Sequence, residues 1–300
     1  MVDGADIDKR QMRGAFNRAA THYDEVARLQ REVAAQLLER LDIIRVEPRA
    51  ILDIGCGTGY LSAAVARRYR GARVLGVDIA EAMAQRANAT TKGFAPRAQT
   101  ALRLRGPRHF VCSDAEALPL MPASVDMAVS NLTLQWCDAR RVFAEVLRVL
   151  KPGGLFMFST LGPDTLKELR GAWQAVDGDV HVHQFVDMHD IGDWMLADGF
   201  SDPVLDIERL RLGYADVTAL LRELKQLGAH NVATSRRRAL TGRERFERFR
   251  AAYPSDGPDG GISATYEVVF GHAWAPVATR LAQSSGMSAV PLSEVKRPHG

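Results

Sequence analysis

The chain of 300 residues has only three cysteines, Cys56, Cys112 and Cys137, and no two of them form a C-x-x-C pair. Such scatter gives a metal or redox centre little to be built on and reads as small buried thiols. Long apolar runs are missing too: no stretch approaches the roughly eighteen residues of a membrane span. Met1 to Arg10 is mixed in charge and has no signal-peptide apolar core, so the cytoplasm is the expected compartment. The formal net charge of +3 is too small by itself to imply nucleic acid. There is no internal repeat. At 46% hydrophobic and 25% charged residues, the chain reads as an ordinary globular protein, one large α/β domain or one with insertions.

What is present centres on Ile51-Leu52-Asp53-Ile54-Gly55-Cys56-Gly57-Thr58-Gly59, with Asp78 closing the next apolar run, Val74–Val77. A short β-branched and leucine run is a buried parallel strand, and glycines after it let backbone approach a ligand where a Cβ would clash. An acid one βαβ step later is placed to accept the two hydroxyls of a ribose. The glycines stand at 55, 57 and 59 rather than in the G-x-G-x-x-G spacing of dinucleotide sites. This arrangement resembles the first motif of the class I S-adenosylmethionine-dependent methyltransferases.

Further strands follow at Phe110–Ala115, Ser124–Asn131 and Leu155–Thr160, with a helix over Val142–Leu150 stopped by Lys151-Pro152-Gly153-Gly154. Open parallel sheets bind ligands at the carboxyl ends of their strands. Asp53, Asp78, Asp114 and Asn131 all lie at or near such ends. The runs D-A-E-A-L-P-L, V-D-M-A-V-S-N and L-K-P-G-G are similar to the same methyltransferase pattern. It implies an α/β, Rossmann-like seven-stranded sheet with an N-terminal helical lid and helical insertions before and after the sixth strand. On this reading residues 1–45 are the helical lid, 46–160 the cofactor-binding core, 161–277 the rest of the domain and 278–300 a mobile tail. Leu29, Val33, Leu37 and Leu41 mark a helix that packs on the sheet or covers the crevice. Helices are expected from Gly162-Pro163-Asp164 through Trp173, at Asp190–Leu196, and in a basic addition over Val217–Tyr253. The last strands are expected at Val204–Leu212 and Thr265–Gly271.

A closer resemblance rests on F-N-R-A-A-T-H-Y (16–23), S-N-L-T-L-Q-W-C (130–137), F-S-T-L-G-P-D-T-L-K-E-L-R (158–170), W-Q-A-V-D (173–177) and L-K-Q-L-G-A (224–229). These segments resemble the malonyl-acyl-carrier-protein O-methyltransferases of biotin synthesis, over roughly residues 10 to 275. The segment after the fifth strand also resembles a mitochondrial complex I assembly factor of the same fold, associated with protein arginine modification. A small-molecule methyltransferase with another acceptor is a further alternative. The first resemblance implies S-adenosyl-L-methionine as cofactor and a malonyl thioester, on acyl carrier protein or coenzyme A, as the substrate whose free carboxylate is methylated. Gly55, Gly57 and Gly59 would pass under the methionine and ribose. Asp78 would bind the ribose hydroxyls, and Asp114 the adenine amine with Ala115 beside it. Asn131 would lie near the sulfonium and Leu132 against the adenine or methionyl region. Asp53 would orient the glycine loop or meet the methionyl ammonium through water.

A malonyl carboxylate is already ionised near neutral pH, so its methylation needs alignment and exclusion of water rather than a general base. Tyr23 is the first candidate for the carboxylate, as a phenol in the lid; it reads equally as a half-buried packing residue. Gln135 and Trp136 are candidates for the far wall, and Arg18 for a carboxylate clamp, with a solvated surface arginine as the plainer reading. His181 and His183 alternate along the insertion, but no third ligand is evident and no metal is expected. An acidic carrier protein would seek a basic face, offered by 86–108, where Ala82 to Ser113 lacks any acid, or by 236–250. Neither stretch is interleaved with aromatics, which argues against RNA.

Overall fold

The computed structural model describes residues 7–92, 98, 101, 106–229, 241–256 and 260–277. Seven strands form one sheet in the order β3-β2-β1-β4-β5-β7-β6. They are β1 (Ala50–Ile54), β2 (Arg73–Asp78), β3 (Arg108–Cys112), β4 (Val125–Asn131), β5 (Leu150–Leu161), β6 (Ser201–Tyr214) and β7 (Ile262–Trp274). The first five pair in parallel, whereas β7 runs antiparallel to both β5 and β6. The strand order reverses between β1 and β4, where open sheets of this kind form their ligand crevice.

Helices pack on both faces. The leucine–valine stripe of α3 (Arg28–Arg40) runs on into Leu41, and Leu29, Val33, Leu37 and Leu41 are all buried in one apolar cluster with Ile51, Met127 and Leu155. On the other face Phe143 and Val146 of α6 (Ala139–Val149) pack with Leu52, Phe156 and Phe158. Side chains ahead of the helices fix several starts. Asp8 caps α1 (Lys9–Ala19) by accepting from Gln11 N at 3.0 Å, Asp138 caps α6, and Asp187 caps α8 (Met188–Asp198). Gly199, at φ +105°, ends α8 in the left-handed conformation that favours glycine.

Several bounds differ from the expectation. Lys151-Pro152-Gly153-Gly154 ends α6, but the same residues already belong to β5. Gly153 adopts φ +74°, its N–H donates to Ala275 O, and the β4–β5 register shifts between Val125 and Met127. The turn signal therefore marks a bulged strand entry. β3 stops at Cys112, so Asp114 lies two residues beyond it in a turn. Helix α7 begins only at Lys167 and ends at Gln174, with Leu166 ahead of it at φ +54°. The basic addition is two helices, α9 (Val217–Gln226) and α10 (Arg243–Ala252). The tail from 278 lies outside the described residues. Helices α4 (Tyr60–Arg68) and α5 (Glu81–Ala89), the single turn α2 (Tyr23–Val26) and a 3-10 turn at Leu134–Trp136 are also described. Among the described residues no helix is long and apolar enough to cross a membrane.

Candidate active site

A cavity of about 1040 Å³ opens over the carboxyl ends of β1, β2 and β4. Its floor includes Gly55, Gly57, Asp78, Asp114, Ala115, Asn131 and Leu132, and its roof Phe16, Arg18 and Tyr23 of the N-terminal segment. Gln135 and Trp136 line it as well. Asp53 and Gly59 instead face an adjoining recess of about 420 Å³, which shares Tyr23, Gly55, Gly57 and Asn131 with the main cavity. All thirteen candidate residues thus come to one region.

Their local chemistry differs. Asp78 accepts from Gly57 N at 2.9 Å and from Ala80 N at 2.8 Å, one bond to each carboxylate oxygen. Burial pushes its pKa up to about 6, against the pull of those two N–H donors. Asp53 is buried and takes a bond from Ser62 Oγ, at the first turn of α4. Burial, opposed by that bond and aided by Asp78, pushes the Asp53 carboxyl up to about 7. That bond ties the end of β1 to the start of α4 across the glycine loop. Within the loop, a Cβ on Gly55 would overlap Thr133, whereas one on Gly57 would meet nothing closer than the Tyr23 ring at 4.0 Å. The first glycine therefore packs the turn, and Gly57 presents bare backbone to the cavity.

Asp114 is held by Lys9 Nζ at 2.7 Å, and Lys9 also bonds Glu116 at 2.7 Å. Lys9 gave no sequence signal of this: the pair is separated by more than a hundred residues. Asn131 uses both ends of its amide, donating to Gln30 O at 3.0 Å and accepting from Ser159 Oγ at 2.9 Å. Gln135 likewise donates to Leu132 O at 2.7 Å and accepts from Thr160 Oγ1 at 3.2 Å. Both residues line the cavity while bracing its wall. Leu132, buried at φ +51°, carries backbone strain in that wall. Tyr23 is half-buried over the glycine loop; burial, with Asp78 and Asp24 nearby, pushes its hydroxyl pKa well up and keeps it a neutral phenol. Arg18 is exposed at the rim and makes no ion pair among the described residues.

The remaining wall is aromatic. Trp136 meets Phe16 edge-on at 5.5 Å and His183 at 5.2 Å. His181 and His183 do not act as a pair. His181 stacks on Trp173 at 3.8 Å and bonds Asp177, while His183 sits between Trp136 and Phe185. A third and fourth candidate ligand do gather there: Asp177, Asp179 and His181 lie together. The Arg245 guanidinium already bridges the two aspartates.

The basic stretches also change character. In the first, Arg86 faces Asp24 at 3.7 Å and Arg108 is buried, bonding Thr90 O; Arg97, Arg103 and Arg105 lie outside the described residues. In the second, Arg245 is spent on Asp177 and Asp179 and Arg250 faces Glu247, while Arg236–Arg238 lie outside the described residues.

The glycine turn, the acid ending β2 and the reversed seventh strand define a class I methyltransferase, and the family model "Methyltransferase domain" matches residues 52–158. The fold is shared with the YcgJ protein of Bacillus subtilis (TM-score 0.55, 18% identity, 81% of this chain and 98% of that one). Closer relatives are the malonyl-[acyl-carrier protein] O-methyltransferases of Methylovorus sp. MP688, 50% identical over 95% of this chain and 94% of that one, and of Laribacter hongkongensis, 47% identical over 93% of each. The chain belongs to the malonyl-[acyl-carrier protein] O-methyltransferase family. That membership decides between the two branches its motifs resemble.

Proposed function

We propose that this chain transfers a methyl group from S-adenosyl-L-methionine to the free carboxylate of malonyl-acyl carrier protein, giving the methyl ester that primes pimeloyl synthesis for biotin. The observation that carries the reading is one continuous cavity with two unlike halves: acids and bare glycine backbone on the sheet side, aromatic and apolar side chains on the other. The first half suits a nucleoside. Each Asp78 oxygen takes only one backbone N–H, so both keep acceptor capacity for ribose hydroxyls. Gly57 leaves room beside them, Asp114 with Ala115 flanks the base, and Leu132 forms its apolar face. Asp53 and Gly59 act from beneath by fixing the loop, and Asn131 by bracing the wall.

When bound, the cofactor supplies an activated methyl group on a sulfonium. The chain's own task is then to align and to exclude water. Tyr23 closes the roof over the glycine loop and offers a neutral hydroxyl to the acceptor carboxylate. Trp136, edge-on to Phe16, closes the far side, and Gln135 holds the turn that carries it. No residue is asked to remove a proton. Of the segment expected as the lid, α1 and α2 cover the cavity while α3 packs in the core: Asn17 Oδ1 accepts from Ala82 N at 2.9 Å, and Thr58 Oγ1 donates to Asp24 at 2.6 Å. The acidic carrier is guided by exposed cations. Among the described residues, Lys92, Arg243 and Arg248 are exposed and without an ion pair in the two basic stretches, and Arg18, Arg222 and Lys225 stand at the cavity itself.

The test is methyl transfer from labelled S-adenosylmethionine to malonyl-acyl carrier protein, with acetyl-acyl carrier protein as control and mass detection. One added methyl on the malonyl species alone is expected. A chain that binds the cofactor and methylates neither refutes the assignment.

A further inference from the structure

The aromatic wall contains one polar atom that nothing satisfies. His183 is 7% exposed and lines the cavity, and its Nε2 is buried without a hydrogen-bond partner among the described residues. Its ring is fixed between Trp136, at 5.2 Å, and Phe185, at 4.6 Å. An apolar ring would fill this place without the cost of an unmet buried nitrogen. Behind it, Arg170 donates to Pro163 O at 2.9 Å and Thr165 O at 3.0 Å, and no carboxylate pairs with it among the described residues. A half-buried cation and an unmet imidazole nitrogen beside an otherwise apolar wall describe a place for an anion's oxygen.

We propose that His183 holds the malonyl carboxylate: its Nε2–H donates to the oxygen that does not receive the methyl group, with the Arg170 charge one layer behind. The assignment rests on the methyl-transfer function proposed above. Burial, with Arg170 nearby, lowers the imidazole pKa to about 4, so the ring is neutral where the enzyme works. That neutrality suits the chemistry. A carboxylate gripped by a cation in direct contact would be a weaker nucleophile, and one left unmet in an apolar wall would not bind. A neutral donor positions it, and the more distant guanidinium offsets part of the desolvation. As the carboxylate O–C bond forms and the donor S–C bond breaks, the two opposite charges cancel and no proton moves. His183 is thus a recognition residue and has no base role, and the acceptor it selects must carry an anionic oxygen.

The test compares H183F, which keeps a ring and removes both nitrogens, with H183Q, which restores an N–H near Nε2. H183F should lower kcat/KM for malonyl-acyl carrier protein ~10-fold or more, H183Q should recover most of it, and cofactor affinity should be unchanged in both. H183F with wild-type kinetics overturns the proposal, and so do equal losses in both variants with cofactor binding intact. Should H183F lose cofactor binding through misfolding, a smaller donor-free variant, H183L, is titrated beside H183Q. The preference for malonyl-pantetheine over acetyl-pantetheine in direct binding is retained in H183Q and lost in H183L if the donor matters, and its retention in H183L overturns the proposal. Wild-type enzyme that leaves malonyl-acyl carrier protein unmethylated refutes the function and this assignment together; active wild type with an indifferent H183F refutes this assignment only.

Discussion

Replacing Asp78 separates its two tasks, gripping the glycine loop and gripping the cofactor. In the free protein its carboxylate receives one bond from Gly57 N and one from Ala80 N. Holding a charge in this buried position is costly. A folded pKa of about 6 against an ordinary 3.8 corresponds to ~3 kcal/mol at neutral pH. That cost is already net of the two N–H bonds; D78A relieves it but leaves Gly57 N and Ala80 N without their acceptor at ~1–3 kcal/mol each, so the net change in folding stability is small. Cofactor binding enjoys no such compensation, because the ribose hydroxyls lose their acceptor in a cavity that offers no substitute. The loss is ~1–3 kcal/mol, or ~5- to ~150-fold in Kd. D78N is the sharper probe. Its amide can accept from only one of the two backbone N–H groups and turns N–H against N–H at the other, so it should cost stability as well as affinity. Titration calorimetry with S-adenosylmethionine, beside thermal unfolding of the free variants, reads both quantities. Unchanged affinity in D78A would remove Asp78 from the binding residues. A D78N variant as stable as D78A would show that the loop bonds carry no weight.

Titration should move stability and binding in opposite directions. Asp53 and Asp78 have folded pKa values of about 7 and about 6, both above the ordinary 3.8, so the folded chain holds more protons than the unfolded one in between. Their contribution to stability is therefore largest at low pH and is lost as pH rises through that range, while cofactor affinity falls as Asp78 protonates below about 6; Tm and Kd from about pH 5 to about pH 8 test both signs. Y23F should lower turnover with little change in cofactor Kd, and wild-type turnover would make Tyr23 a packing residue. K9M frees Asp114 from its ion pair and should shift cofactor affinity by ~3-fold or more without abolishing it; an unchanged Kd would separate Asp114 from the cofactor. Charge reversal at Arg18, Arg222 and Lys225 together should lower kcat/KM for the carrier-bound substrate, more at low than at high salt, with little effect on malonyl-coenzyme A; equal effects on both would place the docking face elsewhere.

The sheet-side half of the candidate site was legible as a cluster because its information is local. Asp53, the three glycines and Asp78 lie within one βαβ step, and the sheet topology alone carries Asp114 and Asn131 to the same edge. Leu29, Val33, Leu37 and Leu41 announced α3 for the same reason: one helical face and one buried stripe. Legibility failed where a signal served two uses. Lys151-Pro152-Gly153-Gly154 reads as a stop, yet its glycine at φ +74° also opens β5 and joins it to Ala275. The basic stretches failed differently, since charges uniform in sequence become paired in space: Arg86 with Asp24, Arg245 with Asp177 and Asp179. Lys9 and Asp114 met only through tertiary folding.

The substrate half is written almost wholly in such long-range contacts. His181 stacks on Trp173, and Trp173 on Phe249 at 4.1 Å, so three segments spread over more than seventy residues make one stack. Arg245 ties that stack to Asp177 and Asp179 and so holds the irregular segment that delivers His183 to Trp136. The segments 130–137 and 173–177 mark Trp136, Trp173 and Asp177, but no motif tells what these side chains stack on, and the chemistry explains why. Alkylating a carboxylate that is already ionised calls for no acid–base pair and no nucleophilic side chain, the groupings whose residue types betray most active sites. What it needs is a dry, rigid wall with one donor at the right place. Selection for that acts on packing between distant segments, and Arg245, far from any reacting atom, belongs to the site as much as the glycines do. R245M should therefore raise KM for malonyl-acyl carrier protein while leaving cofactor affinity intact, because it loosens the one half and not the other. A parallel loss of both in binding titrations would show instead that the two halves fold as a single unit.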